Sequence, residues 1–104
     1  MQKVLVDHFI VPEESRAAFL AVSRKIQDIL KTLPGFVEGF VYEKREGDGP
    51  YNVMTTAVWK DQEAFEEAKK HVSQKLQALG FNPGEKMRGL NVRIERGVYE
   101  RTAY

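Results

Sequence analysis

Residues 51–79 decide the fold and have the sequence YNVMTTAVWKDQEAFEEAKKHVSQKLQAL. Its first part is rich in β-branched and aromatic residues and carries no charge before its last position, which predicts a strand over Asn52–Lys60 buried on both faces. Asp61 then suits a helix N-cap, and apolar residues at spacings of three and four predict a helix that continues to Leu79. Trp59 lies two residues before the cap, so its indole is expected to fill the junction between sheet and helix.

Similar patterns on both sides of this stretch predict the other elements, with a hairpin turn over Glu46–Pro50 and a long irregular connection over Gly80–Gly89. The remaining strands are Lys3–Val11, Phe36–Arg45 and Leu90–Glu100, and the first helix is Glu13–Leu33. The order β-α-β-β-α-β is that of the ferredoxin-like α+β fold, a four-stranded antiparallel sheet with two helices on one face. At 104 residues, the chain is expected to form a single domain over residues 1–104.

Two positions in this scheme carry packing predictions. The apolar stripe of the first helix is expected to face the sheet, which leaves Gln27 on the side that faces water. Gly39 has no side chain, so a neighbouring group is expected to pack closely against its face of the second strand.

The composition excludes several classes of function. The 16 basic and 15 acidic residues give a formal net charge of +1, which argues against a nucleic-acid or anionic-membrane surface built on gross charge. The absence of cysteine excludes disulfides, thiolate nucleophiles and thiolate metal sites. Asp7 and His8 interrupt the N-terminal apolar run, and no apolar stretch is long enough to span a bilayer. A cytoplasmic location is therefore predicted.

The sheet face without helices predicts a partner. The first three strands are apolar on both faces, and a bare apolar face of that size exceeds what monomers usually expose. We therefore expect a homodimer through the open sheet face, with two sheets packed face to face as a closed barrel. The tail Arg101–Tyr104 is expected to extend onto that partner.

Two sequence segments carry a family resemblance: Leu33-Pro34-Gly35-Phe36 before the second strand, and Thr55-Thr56-Ala57-Val58-Trp59-Lys60 leading into Glu63-Ala64-Phe65. In order and spacing they resemble the antibiotic biosynthesis monooxygenase family of dimeric α/β-barrel proteins, and the pattern covers nearly the whole chain. Members include cofactor-independent oxygenases of polycyclic phenols, haem-degrading oxygenases and proteins of unknown role. The resemblance implies one pocket per subunit, between the sheet and the helices.

The resemblance also implies candidate site residues. It places His8 in the pocket, where the imidazole could act as a general base, with a buried histidine bonded to a backbone carbonyl as the alternative. Phe40, Trp59, Ala68 and His71 are the candidate substrate-binding residues, with packing or solvation as the alternative for the aromatic and histidine side chains. Asp7 is expected on the opposite face from His8, towards the dimer interface, where Arg93 or a partner residue pairs with it.

Three hypotheses for the function follow. The first is a monooxygenase without a bound cofactor that acts on a small aromatic, phenolic or similar organic substrate, with His8 as base. The second is a haem-binding or haem-degrading protein with His8 or His71 as ligand. The haem-degrading branch of the family has three functional residues at positions that correspond to His8, Ala68 and Ala78 here, and all three differ from that branch. The third is a non-catalytic ligand-binding dimer. No histidine or carboxylate spacing supports a metal site.

Overall fold

The computed structural model describes residues 1–102; residues 103 and 104, the end of the tail expected to reach a partner, lie outside the described part. Within it, four antiparallel strands form one sheet in the order β2-β3-β1-β4. The elements in chain order are β1 (Lys3–Ile10), a 3-10 turn (Glu13–Ser15), α1 (Arg16–Leu30), β2 (Phe36–Glu43), β3 (Val53–Trp59), α2 (Gln62–Ala78), α3 (Pro83–Gly89) and β4 (Arg93–Tyr99). The predicted ferredoxin-like α+β fold is confirmed.

The passage from β3 into α2 forms as expected. The Asp61 side chain accepts a hydrogen bond from the backbone N–H of Ala64 at 2.8 Å, which caps the first turn of α2. Gly35, just before β2, adopts φ 82°, and a Cβ there would lie 2.4 Å from the Cβ of Ala64. Only glycine therefore allows the chain entering β2 to pass this close to α2.

The connection between α2 and β4 differs from the prediction, because residues 83–89 form the short helix α3 instead of an irregular segment. The Asn82 side chain caps it by accepting the N–H of Glu85 at 3.1 Å, and Pro83 occupies its first turn, where the missing N–H costs nothing. Three glycines and a proline within ten residues hid this cap-and-proline signal.

The two faces of the sheet have different surroundings. The helices cover one face, and we call the other the open face. Side chains alternate along each strand except at the irregularity between Phe36 and Glu38 in β2, so the register assigns each paired position to a face. The open face carries Val4, Val6, His8, Ile10, Glu38, Phe40, Tyr42, Met54, Val58, Arg93, Glu95 and Tyr99.

The core on the helix side consists of two clusters near opposite ends of the sheet. The Trp59 cluster contains Leu33, Ala57, Trp59, Phe65 and Ala68. The Phe19 cluster contains Phe9, Val11, Phe19 and Val53. Trp59 and Phe19 are the most deeply buried large side chains of these clusters. Trp59 fills the predicted junction between the sheet and α2, and the Phe36 ring packs edge-on against it with 5.4 Å between the two ring centroids.

Gln27 departs from the predicted face of α1. It was expected to face water, yet it is buried at 8% exposure. The close packing predicted at Gly39 explains the difference: a Cβ at that position would lie 2.6 Å from Oε1 of Gln27. The glycine leaves room for a polar side chain between helix and sheet, which the helical periodicity alone could not indicate.

Candidate functional site

A cavity of about 890 Å³ lies between the helix side of the sheet and the three α-helices. Most of its wall is apolar and includes members of both core clusters. The apolar residues that line it include Leu5, Phe9, Ile26, Leu30, Ala57, Trp59, Phe65, Ala68, Val72, Leu76, Phe81, Met87, Val92 and Ile94. Its volume lies in the upper part of the range typical of small-molecule sites, roughly 300–1,000 Å³.

An ion pair between neighbouring strands forms the polar part of this wall. The Asp7 side chain is 8% exposed, and it accepts hydrogen bonds from Nε of Arg96 at 2.8 Å and from Nη2 at 2.9 Å. This bidentate geometry fixes the plane of the guanidinium. Arg96 itself is 60% exposed, so its remaining donors stay accessible from the cavity and its mouth.

Arg96 stays protonated and positively charged. The hydrogen bonds to Asp7 raise the pKa of the guanidinium above its ordinary value, and the negative charge of Asp7 adds to this, against an opposing effect of burial. Arg96 is therefore a permanent cation at the wall of a largely apolar cavity, and its position is set by a buried carboxylate.

The amide of Gln27 is the second buried polar group at the wall. Its Nε2 donates to the carbonyl oxygen of Thr56 at 3.2 Å. Its Oε1 is buried and accepts no hydrogen bond from the described residues, and it packs against Gly39. The amide thus joins α1 to β3 across the wall of the cavity.

The structure brings two of the five predicted site residues to the cavity. Trp59 and Ala68 line it. Phe40 is half exposed on the open face. His71 lies on the exposed side of α2, 4.0 Å from Glu67, beside a separate surface pocket of about 350 Å³.

The expectation that His8 lies in the pocket is wrong, and so is the expectation that Asp7 faces the open side. Leu5, Asp7 and Phe9 point to the helices, so His8, between them, points to the open face. The alternation itself was correctly predicted, and the cavity lies between the sheet and the helices as the resemblance implied. The wrong set of alternate β1 residues was placed on that side, and a shift of one residue exchanges the two faces. Asp7 pairs with Arg96 and not with Arg93, which lies on the other face.

His8 instead belongs to a small polar group on the open face. Glu95 is its register partner on β4, and the Tyr51 ring lies at a centroid distance of 5.8 Å. The Tyr51 hydroxyl donates to Oε2 of Glu95 at 2.6 Å, and this hydrogen bond raises the pKa of Tyr51 above its ordinary value. This group lies across the sheet from the cavity.

The haem hypothesis finds no support in this geometry. Neither His8 nor His71 lines the large cavity. Within the part of the chain that the structure describes, no three histidine, cysteine, aspartate or glutamate side chains come together as a metal site. Haem bound in the cavity would lack the histidine ligand that this hypothesis requires.

The sequence-based reasoning missed Arg96, Gln27 and Arg88, which all line the cavity. For Arg96 a signal existed, because the alternation along the last strand places it on the same face as the apolar residues Val92 and Ile94. Arg88 depends on α3, which was not predicted. Gln27 depends on the space above Gly39, which only the packed structure shows.

With this geometry established, comparison with known proteins identifies the family. The sequence profile described as antibiotic biosynthesis monooxygenase matches residues 4–75, more than two thirds of the chain. The chain belongs to the antibiotic biosynthesis monooxygenase family. The match runs from β1 into α2, so α3 and β4, the elements that carry Arg88 and Arg96, lie beyond the matched residues.

Solved structures with the fold of this family member include oxygenases. SnoaB, a cofactor-independent oxygenase from Streptomyces nogalater, is 24% identical with a TM-score of 0.69, over 99% of this chain and 95% of SnoaB. A candidate monooxygenase from Shewanella loihica is 19% identical with a TM-score of 0.72, over 99% and 96% of the two chains. A candidate antibiotic biosynthesis monooxygenase from Deinococcus radiodurans is 18% identical with a TM-score of 0.71, over 100% and 95%. At these identities the likeness shows the fold alone.

Two further observations complete the comparison. No curated protein matches the chain by sequence. None of the helices in residues 1–102 combines the length and the apolar character that crossing a membrane requires.

Proposed function

We propose that this protein is a cofactor-independent monooxygenase that oxidises a phenolic or similar electron-rich aromatic substrate in the large cavity. Family membership and the likeness to SnoaB support an oxygenase in general. The observation that carries the proposal is the Asp7–Arg96 pair, a fixed cation at the wall of an otherwise mostly apolar cavity.

The cavity wall suits an aromatic ring system. Trp59, Phe65 and Phe81 supply aromatic surface, and aliphatic residues cover the rest. Burial of an aromatic body here contributes about 25 cal/mol per Å² of apolar surface removed from water. The small side chain of Ala68 leaves space along α2 that a larger residue would fill.

Arg96 supplies the electrostatic part of the chemistry. Two of its N–H groups bind Asp7, and its Nη1 donors bind no acceptor among the described residues. In this proposal they bind the phenol oxygen of the substrate. A fixed cation beside a phenol favours the phenolate and lowers the pKa of the phenol, so the proton leaves to solvent at the cavity mouth. Asp7 acts as a positioning residue because it holds the guanidinium.

The reaction needs no other electron donor, because the substrate supplies the electrons. Taking 1-naphthol as an example, the naphtholate transfers electron density to O₂ and a C–O bond forms at the ring carbon opposite the oxygen. The resulting hydroperoxide loses water, and this leaves 1,4-naphthoquinone. One oxygen atom of O₂ enters the quinone and the other leaves as water. The two hydrogens of this water correspond to the hydroxyl hydrogen of 1-naphthol and the hydrogen of the ring carbon that is oxidised. The apolar wall protects the anion from competing reactions with solvent.

Oxygen uptake tests the proposal. Purified protein, treated with a chelator, is mixed with 1-naphthol and with related phenols and hydroquinones in an oxygen electrode. We expect saturable uptake that falls strongly in Arg96→Met and is unchanged in Arg24→Met, which makes the same substitution at an exposed site on α1. Equal uptake by wild-type protein and Arg96→Met would refute the assigned role of Arg96.

We further propose that the protein is a homodimer through the open face. Phe40, Tyr42 and Tyr99 are each about half exposed there, and Val6 lies near the centre of the face, between Thr56 and Gly97 in the register. An exposed face with this many large apolar groups favours a partner of the same kind.

Light scattering coupled to size-exclusion chromatography tests the dimer. Val6→Lys places a charge at the centre of the proposed interface, so we expect a dimer for the wild type and a monomer for this variant. Ala17→Lys adds the same charge at an exposed position of α1 and is expected to leave the dimer intact. A wild-type protein that elutes as a monomer contradicts the proposal.

A further inference from the structure

The positive and negative charges of the side chains that line the cavity do not cancel. They are Asp7, Lys69, Arg88 and Arg96. Asp7 is bound by Arg96, and Nζ of Lys69 lies 3.2 Å from Oε2 of Glu66, outside the cavity wall. No carboxylate of the described residues lies within ion-pair distance of Arg88. Among residues 1–102, the positive charge of Arg88 is therefore left without an acidic partner.

Arg88 is carried by an anchored element. It lies in the last turn of α3, which is followed by a backbone hydrogen bond from Val92 N–H to the Met87 carbonyl at 2.9 Å. The hydroxyl of Ser15 donates to the Leu90 carbonyl at 2.7 Å, which ties the end of α3 to the start of α1. Met87 and Leu90 also pack against the Phe19 cluster. The base of the Arg88 side chain is thus held at the cavity by both packing and hydrogen bonds.

We propose that the ligand of this cavity is an organic monoanion, an aromatic phenol that carries a carboxylate, with the carboxylate bound by Arg88 and the phenol oxygen by Arg96. This inference rests on the proposed function, since it names the class of substrate for the same site. One uncompensated cation matches a single negative charge, which a carboxylate supplies and a phosphate monoester exceeds at neutral pH. The planar guanidinium also matches the two oxygens of a carboxylate.

Arg88 is exposed, but it lies beside an apolar cavity wall, which lowers the polarisability on one side of its charge. Two unit charges attract each other several times more strongly beside a poorly polarisable wall than in water. A neutral ligand of the same shape gains the same apolar contacts without that attraction. The cavity should therefore distinguish an acid from its amide, which have nearly the same size and shape.

The test compares 5-hydroxy-1-naphthoate with 5-hydroxy-1-naphthamide, which differ only in the charged group. Binding is measured by calorimetry, and by the fluorescence of Trp59, the single tryptophan of the chain, which lines the cavity. We expect the carboxylate to bind about tenfold or more tightly than the amide, with a preference that weakens as salt is added.

Two variants on α3 assign the preference to a residue. Arg88→Gln should bring the two affinities together by weakening the carboxylate alone. Lys86→Gln is the matched control, since it removes a positive charge from the same helix at an exposed position outside the cavity wall, and it should keep the preference. Circular dichroism verifies that both variants are folded, and the wild-type comparison stands even without them.

Other outcomes of these binding measurements overturn the inference. Equal binding of acid and amide, no binding of either at millimolar concentration, or an equal loss of preference in both variants would exclude Arg88 as the carboxylate site. Tighter binding of 1-naphthyl phosphate than of the naphthoate would replace the monoanion with a dianion. Selective binding without oxygen uptake would refute the proposed function and leave the inference standing.

Discussion

Removing either partner of the Asp7–Arg96 pair should have unequal effects on stability. The Asp7 side chain is 8% exposed and that of Arg96 is 60% exposed. Without Asp7, the guanidinium can still be solvated. Without Arg96, the carboxylate is left in a buried position with no other hydrogen bond from the described residues. Arg96→Met should therefore destabilise the fold more than Asp7→Asn does.

The expected sizes follow from this geometry. A buried charged acceptor that loses its partner costs about 1–3 kcal/mol, and the larger penalties of fully buried pairs do not apply because water reaches the Arg96 side. Asp7→Asn keeps an acceptor for the guanidinium and should cost about 1 kcal/mol or less. The double variant should lie close to Asp7→Asn, since it leaves no unpaired buried charge.

Urea denaturation followed by circular dichroism measures these differences. Arg24→Met controls for the loss of an arginine at an exposed site and is expected to stay within about 0.5 kcal/mol of the wild type. The reasoning is refuted if Asp7→Asn destabilises the protein as much as Arg96→Met, or if the double variant shows the sum of the two single losses.

Two further predictions concern Gly39 and Tyr51. Gly39→Ala should lower the free energy of unfolding by about 1–3 kcal/mol, because the new Cβ would lie 2.6 Å from Gln27 Oε1 and 2.8 Å from a backbone carbonyl oxygen. The control Gly89→Ala, whose Cβ would have no heavy atom within 4 Å, should leave the free energy of unfolding unchanged. A Gly39→Ala protein as stable as the wild type would show that the neighbouring atoms of the sheet move to make room for the new Cβ. Tyr51 should ionise at higher pH than an ordinary tyrosine in ultraviolet absorbance titrations, and Glu95→Gln should lower its midpoint. Because the pKa of Tyr51 is raised in the folded state, the Tyr51 hydroxyl stabilises the fold below the ordinary tyrosine pKa, and this stabilisation is lost as the pH rises through the raised pKa. An unchanged titration midpoint of Tyr51 in Glu95→Gln would exclude Glu95 as the cause of the raised pKa.

The sequence predicted the architecture well because the fold depends on local signals. The strand before Asp61 and the cap itself are confirmed, and so is the apolar stripe of α2 as far as Leu76, whereas Leu79 lies beyond the helix and is exposed. Each of these features depends on neighbouring residues only. The helix α3 was missed because its signal, an asparagine cap followed by proline, is short and lies among glycines. Element ends differ by up to three residues, as at β4, where the predicted start at Leu90 moves to Arg93.

The site was harder to predict because it depends on contacts between distant residues. Asp7 and Arg96 are 89 positions apart and meet only through the register of β1 with β4. His8 was placed in the pocket by the family resemblance, yet the strand alternation turns it away from the cavity. Gln27 is polar on a polar side of its helix, and only the gap above Gly39 buries it. The resemblance therefore misplaced His8, while the alternation in β1 and β4 places Asp7 and Arg96 on the same face of the sheet.

Labelling with ¹⁸O₂ tests the central claim most directly. Chelator-treated protein is supplied with 1-naphthol under ¹⁸O₂, and the quinone is analysed by mass spectrometry. We expect enzyme-dependent 1,4-naphthoquinone with a single ¹⁸O atom, lost in Arg96→Met and retained in Arg24→Met. No enzyme-dependent quinone, a quinone without label, or full activity of Arg96→Met would contradict the claim.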